Sequence, residues 1–340
     1  GGNYNVVVGD EAGTALTTGD SNVLIGMVAG DALTTASDNV ALGQGALTAD
    51  TLGSKTVAIG RQALTTQNFT TATDTFNTAV GYAAGTALTT GIENTIVGGR
   101  AGDAFTTGQE NAVFGQQALS TDTAGNHSTA IGHGALFSQN FSTSTDTNNT
   151  AVGFSAGATI TTGLRNTLMG SLAGDALTDA DDNVAVGGLA LTSDTLGSKT
   201  TALGRGALGS QNFTTATDSL NTAVGYFAGQ AVTTGIRNTL IGTAAGDALT
   251  DADLNVAVGE QALSVDTLGS KSTAVGTIAL ANQNFTTATD SHNSALGYQA
   301  GVNVTTGIKN TLIGSEAGDA LTDADNNVAI GYQALTTEDI

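Results

Sequence analysis

The stretch NTAVGYAAGTALTTG, residues 77–91, contains a motif that repeats along the whole chain. The motif reads Asn-x-apolar-apolar-Gly-x-x-Ala, and we call its glycine, here Gly81, the landmark glycine. Landmark glycines stand at positions 9, 26, 43, 60, 81, 98, 115, 132, 153, 170, 187, 204, 225, 242, 259, 276, 297, 314 and 331. The intervals run 17, 17, 17 and 21 residues and then start again. A fixed period of this length is typical of solenoids, so the sequence predicts 19 coils grouped in super-repeats of 72 residues.

The composition excludes several classes of protein. The 340 residues include 47 Gly but no Pro, Cys or Trp, so there is no disulfide scaffold and no Cys-ligated zinc or iron–sulfur cluster. The formal net charge of −21 argues against nucleic-acid binding by phosphate neutralisation and against docking on an anionic membrane. No run reaches the ~20 apolar residues of a membrane-spanning helix. We expect one continuous repeat domain over 1–340, a piece of a longer chain.

Two positions of the motif predict the core. The residue before the landmark glycine is large and apolar in every coil, and the residue three after it is Ala in all 19 coils. Such constancy is expected where a larger side chain would collide with the next coil. The predicted core is represented by Val80, Ala84, Ile131, Ala135, Val224 and Ala228.

The strand of the motif is apolar on both faces. Because side chains alternate along a strand, the residues one and two before the landmark glycine point to opposite sides, and both are apolar. One face can line the interior, and the other needs cover. We therefore predict an all-β parallel β-solenoid in which three chains associate through the Ala-rich strand faces at a common axis.

The corners of the coils carry turn and ladder signals. Thr stands eight after the landmark in three coils of four, and Asn in the fourth, as in Thr89, Thr106, Thr123 and Asn140. Stacked Thr and Asn side chains are expected to satisfy backbone groups between coils. The glycines that close the TTG corners, Gly91, Gly163, Gly235 and Gly307, are expected to have positive φ.

The repeats resemble known families. NVAVG (183–187 and 255–259), NSALG (293–297) and NVAIG (327–331) resemble the head repeats of trimeric autotransporter adhesins, whose motif reads like NSVAIG. The longer form over 77–91 also resembles repeats of phage tail-fibre-type and cell-surface proteins that often end in a self-cleaving intramolecular chaperone. The resemblance covers the whole chain and implies a left-handed β-roll in a trimer. The chain departs from the adhesin pattern in its longer 17-residue coil and its extended fourth coil.

Three acidic stretches, 174–183, 246–255 and 318–327, form a candidate Ca²⁺ site, because carboxylate oxygens are the ligands that Ca²⁺ prefers. Their carboxylates are Asp175, Asp179, Asp181, Asp182, Asp247, Asp251, Asp253, Asp319, Asp323 and Asp325. The spacing is neither an EF-hand nor a calcium-binding nonapeptide, and the copies at 30–39 and 102–111 have fewer acids. A solvated turn that keeps the protein soluble is the alternative.

Two further surface features are open to a functional interpretation. The loop inserted in each fourth coil contains N-x-[ST] sequons at Asn68, Asn140, Asn212 and Asn284, which are candidate glycosylation sites. The alternative is a Thr-rich turn whose Phe fills the core. The Thr columns suggest ice binding only by analogy, because Asn interrupts them.

The sequence predicts a structural protein and no catalysis, since no nucleophile, base and acid recur together and the three His stand alone. The leading hypothesis is a segment of an extracellular fibre or an adhesin-like shaft on a cell surface. It would form a homotrimer, or a filament assembled end to end, and bind a surface receptor or matrix. The alternative is the shaft of a phage tail fibre in a virion, and a third hypothesis is a Ca²⁺- or ice-binding solenoid.

Overall fold

The computed structural model describes residues 2–336, which form an all-β parallel β-solenoid of 19 turns with no helix among them. The chain divides into two compact units, Gly1–Asn166 and Thr167–Ile340. Each turn contributes one three-residue strand that ends immediately before its landmark glycine, as Thr78–Val80 ends before Gly81. The predicted fold class and the predicted number of coils are confirmed.

The strands of the main ladder are as follows. The first unit holds Val6–Val8, Val23–Ile25, Val40–Leu42, Val57–Ile59, Thr78–Val80, Thr95–Val97, Ala112–Phe114, Thr129–Ile131 and Thr150–Val152. The second unit holds Thr167–Met169, Val184–Val186, Thr201–Leu203, Thr222–Val224, Thr239–Ile241, Val256–Val258, Thr273–Val275, Ser294–Leu296, Thr311–Ile313 and Val328–Ile330. Within each unit consecutive strands pair in parallel and in register, so equivalent residues of successive coils stack on one another.

A second, shorter ladder accompanies each 21-residue coil. It pairs Gly53–Ser54 with Thr73–Asp74, Gly125–Asn126 with Thr145–Asp146, Gly197–Ser198 with Thr217–Asp218, and Gly269–Ser270 with Thr289–Asp290. The extra residues of these coils therefore form a β-bridge against the coil before them. The insertion widens the coil without interrupting the main ladder.

In all coils but those at the two ends, the interior is lined by the residues two before and three after the landmark glycine. Ala84, Ala135 and Ala228 are fully buried, as predicted. Val80, Ile131 and Val224 were predicted to be core residues, and this is wrong: Val80 and Val224 are half-buried and Ile131 is exposed. Their side chains lie on the outer face of the sheet, because the narrow interior admits mostly Ala at the neighbouring strand position.

The prediction that three chains associate through their Ala-rich strand faces is also wrong. Ala79, Ala130 and Ala223 are fully buried inside a single chain, so they cannot meet the same residues of other chains at a trimer axis. The face that a second chain can reach is the opposite one, which carries the large residue before each landmark glycine.

The landmark glycine is required for two independent reasons. Its φ is between +130° and +145°, a region that L side chains rarely adopt. A Cβ at Gly98 would also lie 2.4 Å from the carbonyl oxygen of Gly115, the landmark glycine of the next coil. Both reasons recur from coil to coil, and they explain why no other residue occurs at this position.

Left-handed backbone is not confined to glycine. The residue four after the landmark has positive φ in both of its forms, with 57° at Gly85 and 50° at Leu64. Leu in this conformation costs about 1 kcal/mol, and full burial of its side chain offsets this by about 2 kcal/mol. A Cβ at Gly85 would lie 2.9 Å from Leu64 and 3.1 Å from Ile96, so neighbouring side chains fill the space that Gly leaves.

The corner predictions are partly confirmed. The Thr89 hydroxyl donates to the Thr106 carbonyl at 2.8 Å, and the Thr106 hydroxyl to the Thr123 carbonyl at 3.0 Å, as expected for a ladder. The TTG glycines Gly91, Gly235 and Gly307 do not have φ in the left-handed region, contrary to prediction. Glycine is needed at 91 because a Cβ would lie 2.1 Å from the carbonyl oxygen of residue 108 in the next coil.

Candidate functional site

The outer face of the main sheet is the most extensive candidate surface. We define the outer strip as the residues one and three before each landmark glycine. Its first position is always Val, Ile, Leu, Met or Phe, and its second is Val, Thr, Ala or Ser, so no charged residue occurs in it. The most exposed large members are Val6, Val8, Leu42, Phe114, Ile131, Met169, Ile241, Leu296, Ile313, Val328 and Ile330. In a chain of net charge −21, an uncharged apolar strip is typical of an interaction surface.

Each super-repeat also contains a buried polar network that the sequence did not predict. Asp50 is fully buried, and its carboxylate accepts hydrogen bonds from the Gly53 amide (3.0 Å), the Phe69 amide (3.1 Å) and Gln67 Nε2 (2.7 Å). Gln67 Oε1 in turn accepts from Asn77 Nδ2 at 2.9 Å. Burial raises the pKa of Asp50, and these hydrogen bonds oppose the rise.

The same network recurs with the same partners in the other three copies. Asp122, Asp194 and Asp266 each accept from a Gln, namely Gln139, Gln211 and Gln283. The glycine three residues after each Asp has no room for a side chain, and a Cβ at Gly53 would lie 2.2 Å from Asp50 Oδ2. The signal in the sequence was constancy: D-T-x-G and Q-N-F are unchanged in all four copies. The Asp and Gln side chains of these networks are buried, and they stabilise the interior of the fold.

The candidate Ca²⁺ ligands are hydrogen-bonded between coils. Asp253 Oδ1 accepts from the Ile236 amide at 2.8 Å, and Asp325 Oδ1 accepts from the Ile308 amide at 2.7 Å. Asp251 Oδ1 accepts from the Thr234 hydroxyl at 2.6 Å. Asp179 and Asp323 are exposed, and Asp181 and Asp182 are half-buried. In residues 2–336 no three His, Asp or Glu side chains lie close enough together to hold a metal ion. Calcium binding stays a prediction.

Three of the candidate ligands, Asp175, Asp247 and Asp319, stand five residues after the second landmark glycine of their super-repeats. Asp175 accepts from the Thr192 hydroxyl at 2.5 Å, whereas Asp247 and Asp319 each have a buried Oδ1 with no hydrogen-bond partner. Burial raises the pKa of Asp247. In the Asp175 copy a hydroxyl 17 residues later satisfies this oxygen, and Ser264 stands at the same spacing from Asp247.

The sequon asparagines lie at the surface of the inserted loops. Asn68, Asn140 and Asn212 are exposed and Asn284 is half-buried. The Oδ1 atom of each faces a Thr hydroxyl of the preceding coil, at 3.2 Å for Asn68 and Thr51. The phenylalanine after each sequon Asn is buried, so the loop also fills the core as expected. Glycosylation stays a prediction.

The three histidines lie in different surroundings. His127 lies 3.3 Å from both Glu110 and Asp146, and His133 stacks on Phe154 with ring centroids 5.5 Å apart. His292 is exposed. No ligand-sized cavity opens within residues 2–336, and that range holds no helix long and apolar enough to cross a membrane.

The corner Thr hydroxyls, which suggested ice binding, donate hydrogen bonds to the next coil within the Thr ladder. The Thr34, Thr178 and Thr250 hydroxyls each donate to a carbonyl 17 residues later. A hydroxyl that donates within the protein has no proton left to donate to a lattice.

Comparison with known protein families matches none of them to this chain, and comparison with curated proteins gives no match either.

Proposed function

We propose that the chain is a structural, non-catalytic segment of an extracellular fibre that associates with further copies of itself through the outer strip. The observation that carries the proposal is the strip itself. It repeats in all 19 coils, its first position is always a large apolar residue, and neither of its positions carries a charge on an otherwise acidic protein. The setting is a cell-surface appendage or adhesin-like shaft, with a phage tail-fibre shaft as the alternative.

Repetition makes the strip suited to a long, aligned contact. Because strands stack in register, equivalent apolar residues follow one another at each coil. Stacked rungs are about 4.8 Å apart, so two copies aligned side by side can bring the same residue types together at every rung. A contact that extends over many rungs buries far more apolar area than any single exposed residue.

A structural role also agrees with how the interior is built. The Asn94 backbone amide donates to Asn77 Oδ1 at 2.9 Å, and the Asn111 amide donates to Asn94 Oδ1 at 3.1 Å. Asn94 Nδ2 also donates to the carbonyl of Gly108 at 2.8 Å. Side-chain amides therefore hydrogen-bond neighbouring coils in addition to the strand pairing. Such continuous pairing resists local opening.

The test is the solution mass from light scattering after size exclusion, with and without Ca²⁺. Three copies of the 33.4 kDa chain weigh about 100 kDa. A trimer is expected, and a monomer of 33.4 kDa would contradict the proposal. A mass that rises only when Ca²⁺ is added would favour the calcium hypothesis instead.

A matched pair of variants locates the contact. The strip variant replaces Ile241, Leu296 and Ile313, which are 38%, 51% and 38% exposed, with Glu. The control variant replaces Leu220, Leu254 and Val265, which are 45%, 44% and 43% exposed and lie outside the strip, with Glu. Both variants add the same charge. The strip variant is expected to dissociate while the control variant keeps the native mass.

A further inference from the structure

The residue immediately after the landmark glycine changes from coil to coil, but it follows the 72-residue period. In the first coil of four of the five super-repeats it is aromatic, namely Tyr82, Phe154, Tyr226 and Tyr298, whereas the first super-repeat has Asp10 there; Tyr332 stands at the same position in the last coil. All five rings are about half exposed or more. Four of the five tyrosines of the chain stand at this position. We call the residues one and two after the landmark glycines the aromatic edge.

Polar side chains accompany the rings in the neighbouring coils. The Arg61 guanidinium lies 5.8 Å from the Tyr82 ring, and its Nε donates to Gln44 Oε1 at 3.3 Å. Arg205 lies 5.9 Å from Tyr226 and 5.3 Å from Phe227. Outside the four buried network glutamines, the chain has nine Gln, and seven of them belong to the aromatic edge: Gln44, Gln62, Gln116, Gln117, Gln261, Gln299 and Gln333. Exposed rings and amide groups are therefore concentrated along one edge.

We propose that the aromatic edge binds a neutral polysaccharide. A pyranose ring presents a face of C–H groups that stacks on the electron-rich face of Tyr or Phe. Its hydroxyl groups both donate and accept, which matches the side-chain amide of Gln, a group with two donors and one acceptor site. Guanidinium groups add donors in a fixed planar geometry.

The repetition and the charge indicate which occupant fits. Within one unit, Tyr82 and Phe154 are four coils apart, and so are Tyr226 and Tyr298. This separation corresponds to about 19 Å at the usual distance between strands. Similar platforms that recur along the coils suit a ligand that is itself a repeating polymer, whose affinity then grows by multivalency. A net charge of −21 repels polyanions, so a neutral chain is favoured over an anionic one.

The proposal extends the structural function by naming a ligand class, but the two can fail separately. The aromatic edge and the outer strip consist of different residues. If only self-association fails, the chain is a monomer that still binds the polysaccharide. If only polysaccharide binding fails, the chain is a trimer that does not bind it.

The experiment is affinity electrophoresis of the full chain in native gels that contain a neutral α-glucan, a neutral β-glucan, a neutral galactomannan or an anionic alginate. Retardation by at least one neutral polymer is expected, and it should persist when the salt concentration is raised, since the polymer carries no charge. No retardation by any neutral polymer would overturn the proposal, and so would retardation by alginate alone.

Variants assign the retardation to the rings. Replacement of both Tyr226 and Tyr298 by Ala is expected to raise the dissociation constant at least tenfold, because each lost stacking contact is of order 1 kcal/mol. The control variant replaces Phe76 and Phe137, which are 53% and 36% exposed and lie outside the edge, by Ala. Equal retardation of the two variants would overturn the assignment, and circular dichroism checks that both are folded.

Discussion

Each super-repeat consists of two different pairs of coils. In the super-repeat that begins at Gly81, the apolar pair spans 81–114 and the polar pair spans 115–152. Seven residues after the landmark, the apolar pair places Leu88 and Phe105, whereas the polar pair places Asp122 and Gln139, and all four are fully buried. Equal positions in one solenoid are thus filled by hydrocarbon in one region and by a hydrogen-bonded carboxylate in the other.

The difference shows what the 21-residue coil requires. The Asn side-chain ladder is interrupted at Ser128: its backbone amide donates to Asn111 Oδ1 at 2.8 Å, but Ser has no side-chain amide to continue the ladder. Gln139 then takes over, because its Nε2 donates to both Asp122 (2.6 Å) and Ser128 Oγ (2.9 Å). The polar pair therefore uses the buried carboxylate to hold the longer coil, at the cost of removing a charge from water.

The largest effect should be common to both pairs. Gly98→Ala in the apolar pair and Gly132→Ala in the polar pair each combine left-handed φ with a Cβ 2.4 or 2.3 Å from a carbonyl oxygen of the next coil. Each is expected to cost about 4 kcal/mol or more in the free energy of unfolding. Gly99→Ala is the matched control, since nothing lies within 4 Å of its Cβ. Urea unfolding measures all three; equal stability of Gly98→Ala and Gly99→Ala would contradict the steric explanation.

The next largest effect tests the Asn ladder of the apolar pair. Asn94→Ala removes the acceptor of the Asn111 amide and the donor to the Gly108 carbonyl, both buried. A loss of about 2–4 kcal/mol is expected from the unsatisfied groups and the small cavity. Faster hydrogen exchange should be confined to neighbouring coils. Asn282→Ala, at an exposed Asn, is the control and should change little.

The polar pair of the first super-repeat can be broken and repaired. Asp50→Asn turns an Nδ2 donor toward Gln67 Nε2, and a rotated Gln67 amide would then oppose Asn77 Nδ2. A loss of about 1–3 kcal/mol is expected. Adding Gln67→Glu supplies a carboxylate that accepts from both amides and restores the net charge. A double-mutant cycle measures the coupling, and a double variant no more stable than Asp50→Asn would disprove this orientation of the network.

The smallest effect separates buried from exposed acids by the sign of their pH dependence. Because burial raises the pKa of Asp50, the folded state binds a proton more readily, so its contribution to stability increases as pH falls through the raised pKa toward 3.8. The Lys271 ammonium lowers the pKa of exposed Asp290, and that contribution is lost as pH falls through the lowered pKa. The free energy of unfolding of each variant is measured relative to that of the native protein from pH 7 to pH 3. As pH falls, this difference should become less favourable for Asp50→Asn and more favourable for Asp290→Asn. Changes of the same sign would contradict this assignment.

The coil number, the buried Ala column, the Thr ladder and the buried Phe of the inserted loop could all be predicted from spacing alone. The face of the strand could not, because both of its faces are apolar. Alternation places Val80 and Ala79 on opposite sides but does not say which is inside. The structure decides it: Ala79 is fully buried inside the coil and Val80 is half-buried on the outer face.

Two other features were hidden for different physical reasons. Asp50 was missed because an acidic residue is ordinarily exposed, although its constancy across the four copies indicated otherwise. The left-handed backbone at Phe76, His127 and Lys199 was missed because this position, five before the landmark, tolerates any exposed side chain. The recurrence of aromatic residues in the aromatic edge is visible only when coils four apart are compared.

The alternation of apolar and polar pairs also sets how such a protein can change its length. Duplicating a single 17-residue coil would place an Asp column against the wrong neighbour and leave a carboxylate without its Gln. Duplicating 72 residues keeps every ladder, network and exposed ring in phase. Each such duplication therefore adds four rungs, about 19 Å of stacked strands, and one further aromatic platform.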